Sequence, residues 1–286
     1  MQPNEITDPQ CECGEGPIWH PGQNKLYWVD IPLGHLYRYD PATANSELIY
    51  EDTGRLGGIT VQADGSLLLF GDSGCVKRWA RGTIETLIDR IPGEESTRFN
   101  DVIADPRGRV FAGMMGTDTR DGRLYRIEPD GSYSYVLDGI GTPNGLGFAP
   151  ENEYFYFTDS GTNTIYQYEY DEATGVLSNR RVFAEVPESQ GTPDGLTIDA
   201  EGYVWSARWN GNCVVRYAPD GTEEMRIDLP AERATSVMLG GDSFNSLYIT
   251  TAGGDNRSKE GPGAGAVFEV AVDIRGTPEY RSRLFT

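Results

Sequence analysis

Four short phrases each carry one oxygen-bearing side chain beside a turn-forming residue: Glu15 in GEGP, Asn100 in RFND, Asn144 in PNGL and Asp194 in PDGL. The smallest gap between any two of them is 44 residues, so only a fold can bring them together. Gathered at one point, two carboxylates and two carboxamides would make an all-oxygen set of charge −2. Anionic oxygens crowded without a cation repel one another, and their pKa values rise. A divalent ion relieves that repulsion, and oxygen-only ligation suits hard cations such as Ca²⁺, Mg²⁺ or Mn²⁺. The competing reading is that each residue merely shapes a turn, because Asn-Gly and Asp-Gly are ordinary turn dipeptides. The two readings separate on whether the chain places all four at equivalent positions.

The elements supply that placement through a repeat. A polar-Gly-apolar start, a turn, an alternating strand, a second turn and another alternating strand recur six times. The phrase runs GEGPIWHPGQNKLYWVDIPLGHLYRYDPAT from Gly14 and returns, degraded, as GGITVQADGSLLLFGDSGCVKRWA from Gly57. Aligning the first polar position of each copy gives Glu15, Gly57, Asn100, Asn144, Asp194 and Ser236, spaced 42 to 50 residues apart. Repeats of ~40–50 residues built from short strands are the signature of β-propeller blades with four strands each. Segments such as KLYWVDI, YFYFTDS and TIYQYEY alternate or run apolar, and no stretch keeps a 3.6-residue period over eleven residues. A two-sheet sandwich would account for short strands but not for a fixed period. The chain is therefore expected to be all-β, a single six-bladed β-propeller domain over residues 1–286 with four-stranded blades around a central channel. In such a ring the innermost strands line the channel, so equivalent positions from different blades converge. Turn chemistry does not require one column of oxygen side chains in four blades. Two segments could close the ring as the last outer strand, the Glu279–Phe285 stretch or the N-terminal Asn4–Thr7, and the sequence leaves both open.

Charge narrows the partners. Lysine plus arginine number 24 against 44 aspartate plus glutamate, a net charge of −20, and only Lys25, Lys77 and Lys259 are lysines. Phosphate neutralisation on nucleic acid and docking on anionic lipid are both excluded by that balance. An acidic, lysine-poor surface suits concentrated salt, where screening quenches self-repulsion. No run approaches ~18 apolar residues, and the N-terminus has neither a basic nor an apolar signal region. Cys11, Cys13, Cys75 and Cys213 show no metal-binding spacing, and reduced thiols in a cytoplasmic protein are expected. A monomer or weak oligomer is expected.

The motifs in order, GEGPIW with LYWVDI, RFND, TPNGL, SNRRVFAE, PDGLTIDAEG, WNGN with VRY, and TSVMLGG with LYITTA, resemble the senescence marker protein (regucalcin)/gluconolactonase family. The resemblance runs from about Cys11 to about Val272. It implies a six-bladed, metal-dependent enzyme that opens sugar lactones, such as glucono-, xylono- or arabinolactone, to the aldonic acid. The family's metal ligands fall on Glu15, Asn144 and Asp194, and its substrate-binding Arg and Asn on Arg98 and Asn100. Asp194 also matches the family's general base. The implied ion is one divalent cation, Ca²⁺ first, with Mg²⁺, Mn²⁺, Zn²⁺ or Fe²⁺ as the alternatives. The chain departs from many relatives at Gly113-Met114-Met115, where they have Gly-Thr-Met. An acidic substrate contact of the following segment has no clear match, although Asp118 and Asp121 are near.

Other signals carry less. GDSG at Gly71–Gly74 has the look of a serine-protease nucleophile loop, but His20 and His35 are the only histidines, and a strand-end turn is expected. His20 before Pro21-Gly22 reads as a turn histidine. GPGAGA at Gly261–Ala266 lies between no strand and helix and reads as a loop. Trp209, Asn210 and Asn212 are candidates for the channel rim. Two rival functions stand beside the lactonase: an organophosphate or aryl-ester hydrolase of the same architecture, and a non-catalytic metal-binding propeller.

Overall fold

The computed structural model describes residues 1–286. Six four-stranded antiparallel sheets stand in a ring, and the only helical turns are the three-residue segments Ser160–Thr162, Glu188–Gln190 and Arg257–Lys259. The innermost strands of blades 1 to 6 are Gly14–His20, Leu56–Val61, Phe99–Ala104, Pro143–Phe148, Thr192–Ile198 and Ala234–Gly240. Each packs on the next around the ring, and the sixth returns to the first. The sequence repeat is thus one blade per copy, and the aligned position lies near the start of every inner strand.

Blade 6 settles how the ring closes. Its three C-terminal strands, Ala234–Gly240, Ser246–Thr251 and Val267–Ala271, take Asn4–Thr7 as their outer strand, with Asn4 opposite Glu269. The N-terminal alternative is the one used. A sheet edge left open exposes unpaired backbone groups, and pairing the first residues with the last blade removes that liability. The Glu279–Phe285 stretch does something else. It crosses the far end of the ring, where the backbone of Ser282 bonds Val61 and Ala63, Arg283 N–H reaches Gly108 O, and Phe285 N–H reaches Pro129 O. Tyr280 donates to Asn152 Oδ1 at 2.7 Å, so the tail ties blades 2, 3 and 4 together from beneath.

The core lies between blades rather than within one. Trp19 of blade 1 stacks on Tyr248 of blade 6 at 5.8 Å. On the face of blade 4 turned toward blade 3, Phe148 meets Phe155 at 5.0 Å and Tyr170 at 4.7 Å, and Phe111 of blade 3 meets Phe155 at 5.3 Å. Aromatic pairs at these separations add about 0.5–1.5 kcal/mol each beyond the area they bury. Blade 2 explains why its aligned residue is Gly57. A Cβ there would stand 2.0 Å from the Phe99 carbonyl oxygen, so the two inner strands approach too closely for any side chain.

All four cysteines are free thiols. GDSG occupies the turn after the second strand of blade 2, where Asp72 accepts from Arg55 N–H at 2.8 Å. Asn210 and Asn212 sit in left-handed turn positions with φ of 55° and 43°. No helix is long and apolar enough to cross a membrane.

Candidate active site

Every inner strand is interrupted by a bulge at the aligned position. The register against the neighbouring strand shifts between Glu15 and Ile18, Leu56 and Gly58, Phe99 and Val102, Asn144 and Leu146, Pro193 and Leu196, and Ala234 and Ser236. A bulge adds a residue to one strand, bends it and re-aims its side chain. Gly16, at φ 54°, takes the left-handed conformation that the first of these bends needs. Glu15, Asn100, Asn144 and Asp194 therefore leave the pleat at the same level of four blades. All four are buried, at 7%, 7%, 7% and 5% exposure.

A chain of hydrogen bonds links three of these blades. Arg98 Nη1 donates to Asn100 Oδ1 at 2.6 Å and to its neighbour's Phe99 carbonyl at 2.9 Å. Asn100 Nδ2 donates to Asn144 Oδ1 at 2.5 Å and to Pro143 O at 2.8 Å. Asn144 Nδ2 donates to Ser160 Oγ at 2.8 Å, and Ser160 Oγ–H donates to Pro193 O at 2.6 Å, one residue before Asp194. The amide oxygen and amide nitrogen of Asn144 are thereby both fixed, with the oxygen toward Asn100. Arg98 keeps Nε and Nη2 free of protein partners.

The carboxylates are less well provided for. Glu15 Oε2 accepts from Gly16 N–H at 2.9 Å. Asp194 Oδ1 is buried and has no hydrogen-bond partner. Burial, and then the charge of Asp194, push the Glu15 carboxyl well above its ordinary range. Asp194 is pushed up by burial and then by Asp101, against the opposing pull of Gly195 N–H, Arg208 and Arg98. Asp101 itself is raised to about 6 by burial. Three carboxyls thus share one poorly solvated end of the channel.

The donor set fits a hard cation. An orphaned buried carboxylate oxygen, a second carboxylate and an oriented carboxamide oxygen are all oxygen ligands. The donors are carboxylate and carboxamide oxygens, with no histidine or thiolate among them. Glu15, Asn144 and Asp194 are the residues that would hold the ion.

Two contributors escaped the sequence reading. Ser160 orients Asn144 from the end of the second strand of blade 4, and nothing in YFTDSG distinguishes it from a turn serine. Arg208 is fully buried, donating to Ser206 Oγ at 2.5 Å and to Tyr217 Oη at 2.5 Å, and its charge reaches Asp194. Its signal was a lone guanidinium in the apolar VWSARW strand. Asp118 and Asp121, by contrast, are exposed and are not brought to the site. The charged residue that turns inward from that segment is Arg120, which pairs with the fully buried Glu94.

A six-bladed propeller with an acidic, oxygen-lined pocket on its axis is the class that fold and site define. Residues 13–253 match the SMP-30/Gluconolactonase/LRE-like region, and the chain belongs to that family. It is 49% identical to pentonolactonase XacC of Haloferax volcanii, over 99% of this chain and 98% of that one. It is 32% identical to regucalcin of Bos taurus, over 94% of each. Among solved structures it is similar to a calcium-binding protein, regucalcin, from Agrobacterium tumefaciens, with a TM-score of 0.90, 25% identity and coverage of 98% and 97%.

Proposed function

We propose that this chain is a metal-dependent hydrolase that opens sugar lactones to aldonic acids, with the bulged pocket of Glu15, Asn144 and Asp194 as its centre. The observation that carries this reading is Asp194 Oδ1, a buried carboxylate oxygen left without a donor beside a second carboxylate. The pentonolactonase similarity supports the lactone class, and the relatives described as calcium-binding support a divalent ion, Ca²⁺ first. When bound, such an ion supplies Lewis-acid polarisation of the lactone carbonyl, an effect worth several kcal/mol.

The chain's own residues do the rest. Arg98, with Nε and Nη2 unengaged, donates to ring or hydroxyl oxygens and fixes the sugar against the pocket. Asn100 is held by Arg98 on one side and Asn144 on the other, so it presents one orientation to the substrate. Asp194, a carboxylate beside the site that would hold the ion, takes a proton from the attacking water. As the ester C–O bond breaks, the ring oxygen leaves as a hydroxyl with that proton, and the product is a hydroxylated carboxylate. The acidic molecule repels this anion, which favours release. An aryl-ester or organophosphate substrate would call for an apolar wall, whereas Arg98, Asn100 and Asn144 make this one polar. The direct test measures acid release from a panel of pentono- and hexonolactones with several metals, beside an aryl ester and an organophosphate. Turnover of the lactones alone supports the reading, and turnover confined to the other esters refutes it.

A further inference from the structure

The far end of blade 1 holds a feature that the axial site does not use. Glu15 and His20 lie at opposite ends of the same inner strand, about 16 Å apart at ~3.3 Å per residue. Beside His20 a groove of about 660 Å³ opens between blades 1 and 2. Four arginines line it, Arg38, Arg78, Arg81 and Arg281, in a chain whose net charge is −20. Arg38 is paired with Glu47, and Arg78 with Asp64 and Glu85. Arg81 and Arg281 have no ion-pair partner.

Two buried polar atoms in the wall are also unpaired. His20, 3% exposed, has Nδ1 without a partner, and Trp79, 9% exposed, has Nε1 without one. His20 Nε2 lies 3.1 Å from the Gly65 carbonyl oxygen. Gln23 Nε2, an amide donor, lies 3.2 Å from the same nitrogen, so Nε2 meets an acceptor and a donor at once and Nδ1 can take either role. The indole N–H of Trp79 is a donor only. An atom one bond beyond the Gly22 Cα would stand 3.3 Å from His20 Cε1, 3.6 Å from His20 Nδ1 and 3.7 Å from Arg281 Nη2, so a side chain there would crowd the imidazole edge and the guanidinium. An unpaired imidazole nitrogen, an unpaired indole N–H and two free guanidinium groups thus belong to residues that line one groove.

We infer that this groove binds a small oxyanion that also carries hydroxyl groups, a chemistry shared by sugar acids and sugar phosphates. The anionic oxygens take the Arg81 and Arg281 guanidinium groups and the Trp79 N–H, while a hydroxyl, which both donates and accepts, pairs with His20 Nδ1. Charge-assisted bonds to arginine supply most of the affinity, and the pairing of a hydroxyl with His20 Nδ1 favours a hydroxylated anion over a bare one. No part of this depends on the lactonase reading.

Calorimetric titration with D-xylonate, D-glucose 6-phosphate and inorganic phosphate, at ionic strength matched with chloride, tests it. At least one of the two hydroxylated probes should bind at least tenfold more tightly than inorganic phosphate, and whichever is tighter identifies the source. Arg281→Gln and Gly22→Ala should each weaken that binding about tenfold or more while leaving lactone turnover unchanged. Arg98→Ala, which alters the axial pocket, should leave it intact. No heat beyond the chloride control, equal binding of inorganic phosphate, or binding lost in Arg98→Ala but kept in Arg281→Gln would each overturn the inference.

Discussion

At the scale of single residues, the account rests on Asp194 doing two jobs. Asp194→Asn keeps the size and one ligating oxygen but removes the charge and the basicity. At saturating metal, a deficit in kcat of roughly 10²–10⁴-fold should persist. Glu15→Gln loses a ligand charge but no base, so added metal should restore more of its turnover. Near wild-type kcat for metal-saturated Asp194→Asn would remove the base assignment. Ser160 acts at one remove, because its hydroxyl holds Asn144 in place. Ser160→Ala should weaken metal affinity about tenfold to a hundredfold with little change in kcat at saturating metal. Titration of metal-stripped protein reads that affinity, and an unchanged value would show that Asn144 needs no such support. Glu15, Asn100, Asn144 and Asp194 were legible because turn chemistry alone does not put oxygen side chains at one repeat position. Ser160 and Arg208 were not, since each acts through contacts with another strand that a linear pattern does not display.

At the scale of elements, the repeat disclosed the blades, but not the bulges that turn its polar positions toward the axis. Bulges are a property of pairing, and a sequence shows only one strand of each pair. The closing strand was undecidable for a related reason, since Asn4–Thr7 and Glu279–Phe285 are both short and alternating. Deleting residues 1–8 removes the strand on blade 6 and the Asp8 contact with Arg257. A loss of about 2–4 kcal/mol from the ladder and the packing of Ile6 should lower Tm by roughly 3–7 °C. An unchanged Tm would show that the ring needs no closure. The C-terminal tail carries a pH effect of its own. Burial, and then the Asp101 charge, raise the half-buried Glu279 carboxyl to about 7 from an ordinary value of 4.5. The folded protein therefore holds this proton more tightly than the unfolded chain does. Stability from this group is complete below about 4.5 and falls as pH rises toward 7, beyond which the loss is constant. Glu279→Gln should accordingly be the more stable form at pH 8, by about 1–3 kcal/mol, and should match the parent at pH 4. Melting curves of both proteins at the two pH values read this difference, and equal Tm at pH 8 would contradict it.

At the scale of the whole molecule, two charge effects set the conditions under which the site works. With 44 acidic residues against 24 basic ones, surface carboxylates repel one another in dilute buffer, and salt screens them. Tm should rise between dilute buffer and molar KCl, and a flat or falling Tm would mean that local ion pairs already balance the surface. The second effect is concentrated on the axis. Glu15 and Asp194 come from blades 1 and 5, so only the closed ring unites them, and a bound divalent ion should stabilise the folded state by mass action. That convergence can be tested in one experiment. Pentonolactone hydrolysis is followed in protein stripped by a chelator, with metal content checked by elemental analysis, and again after one divalent ion is restored. The account requires loss of turnover on stripping, recovery at about one ion per chain, and a higher Tm in the reloaded protein. Full turnover by metal-free protein would contradict it.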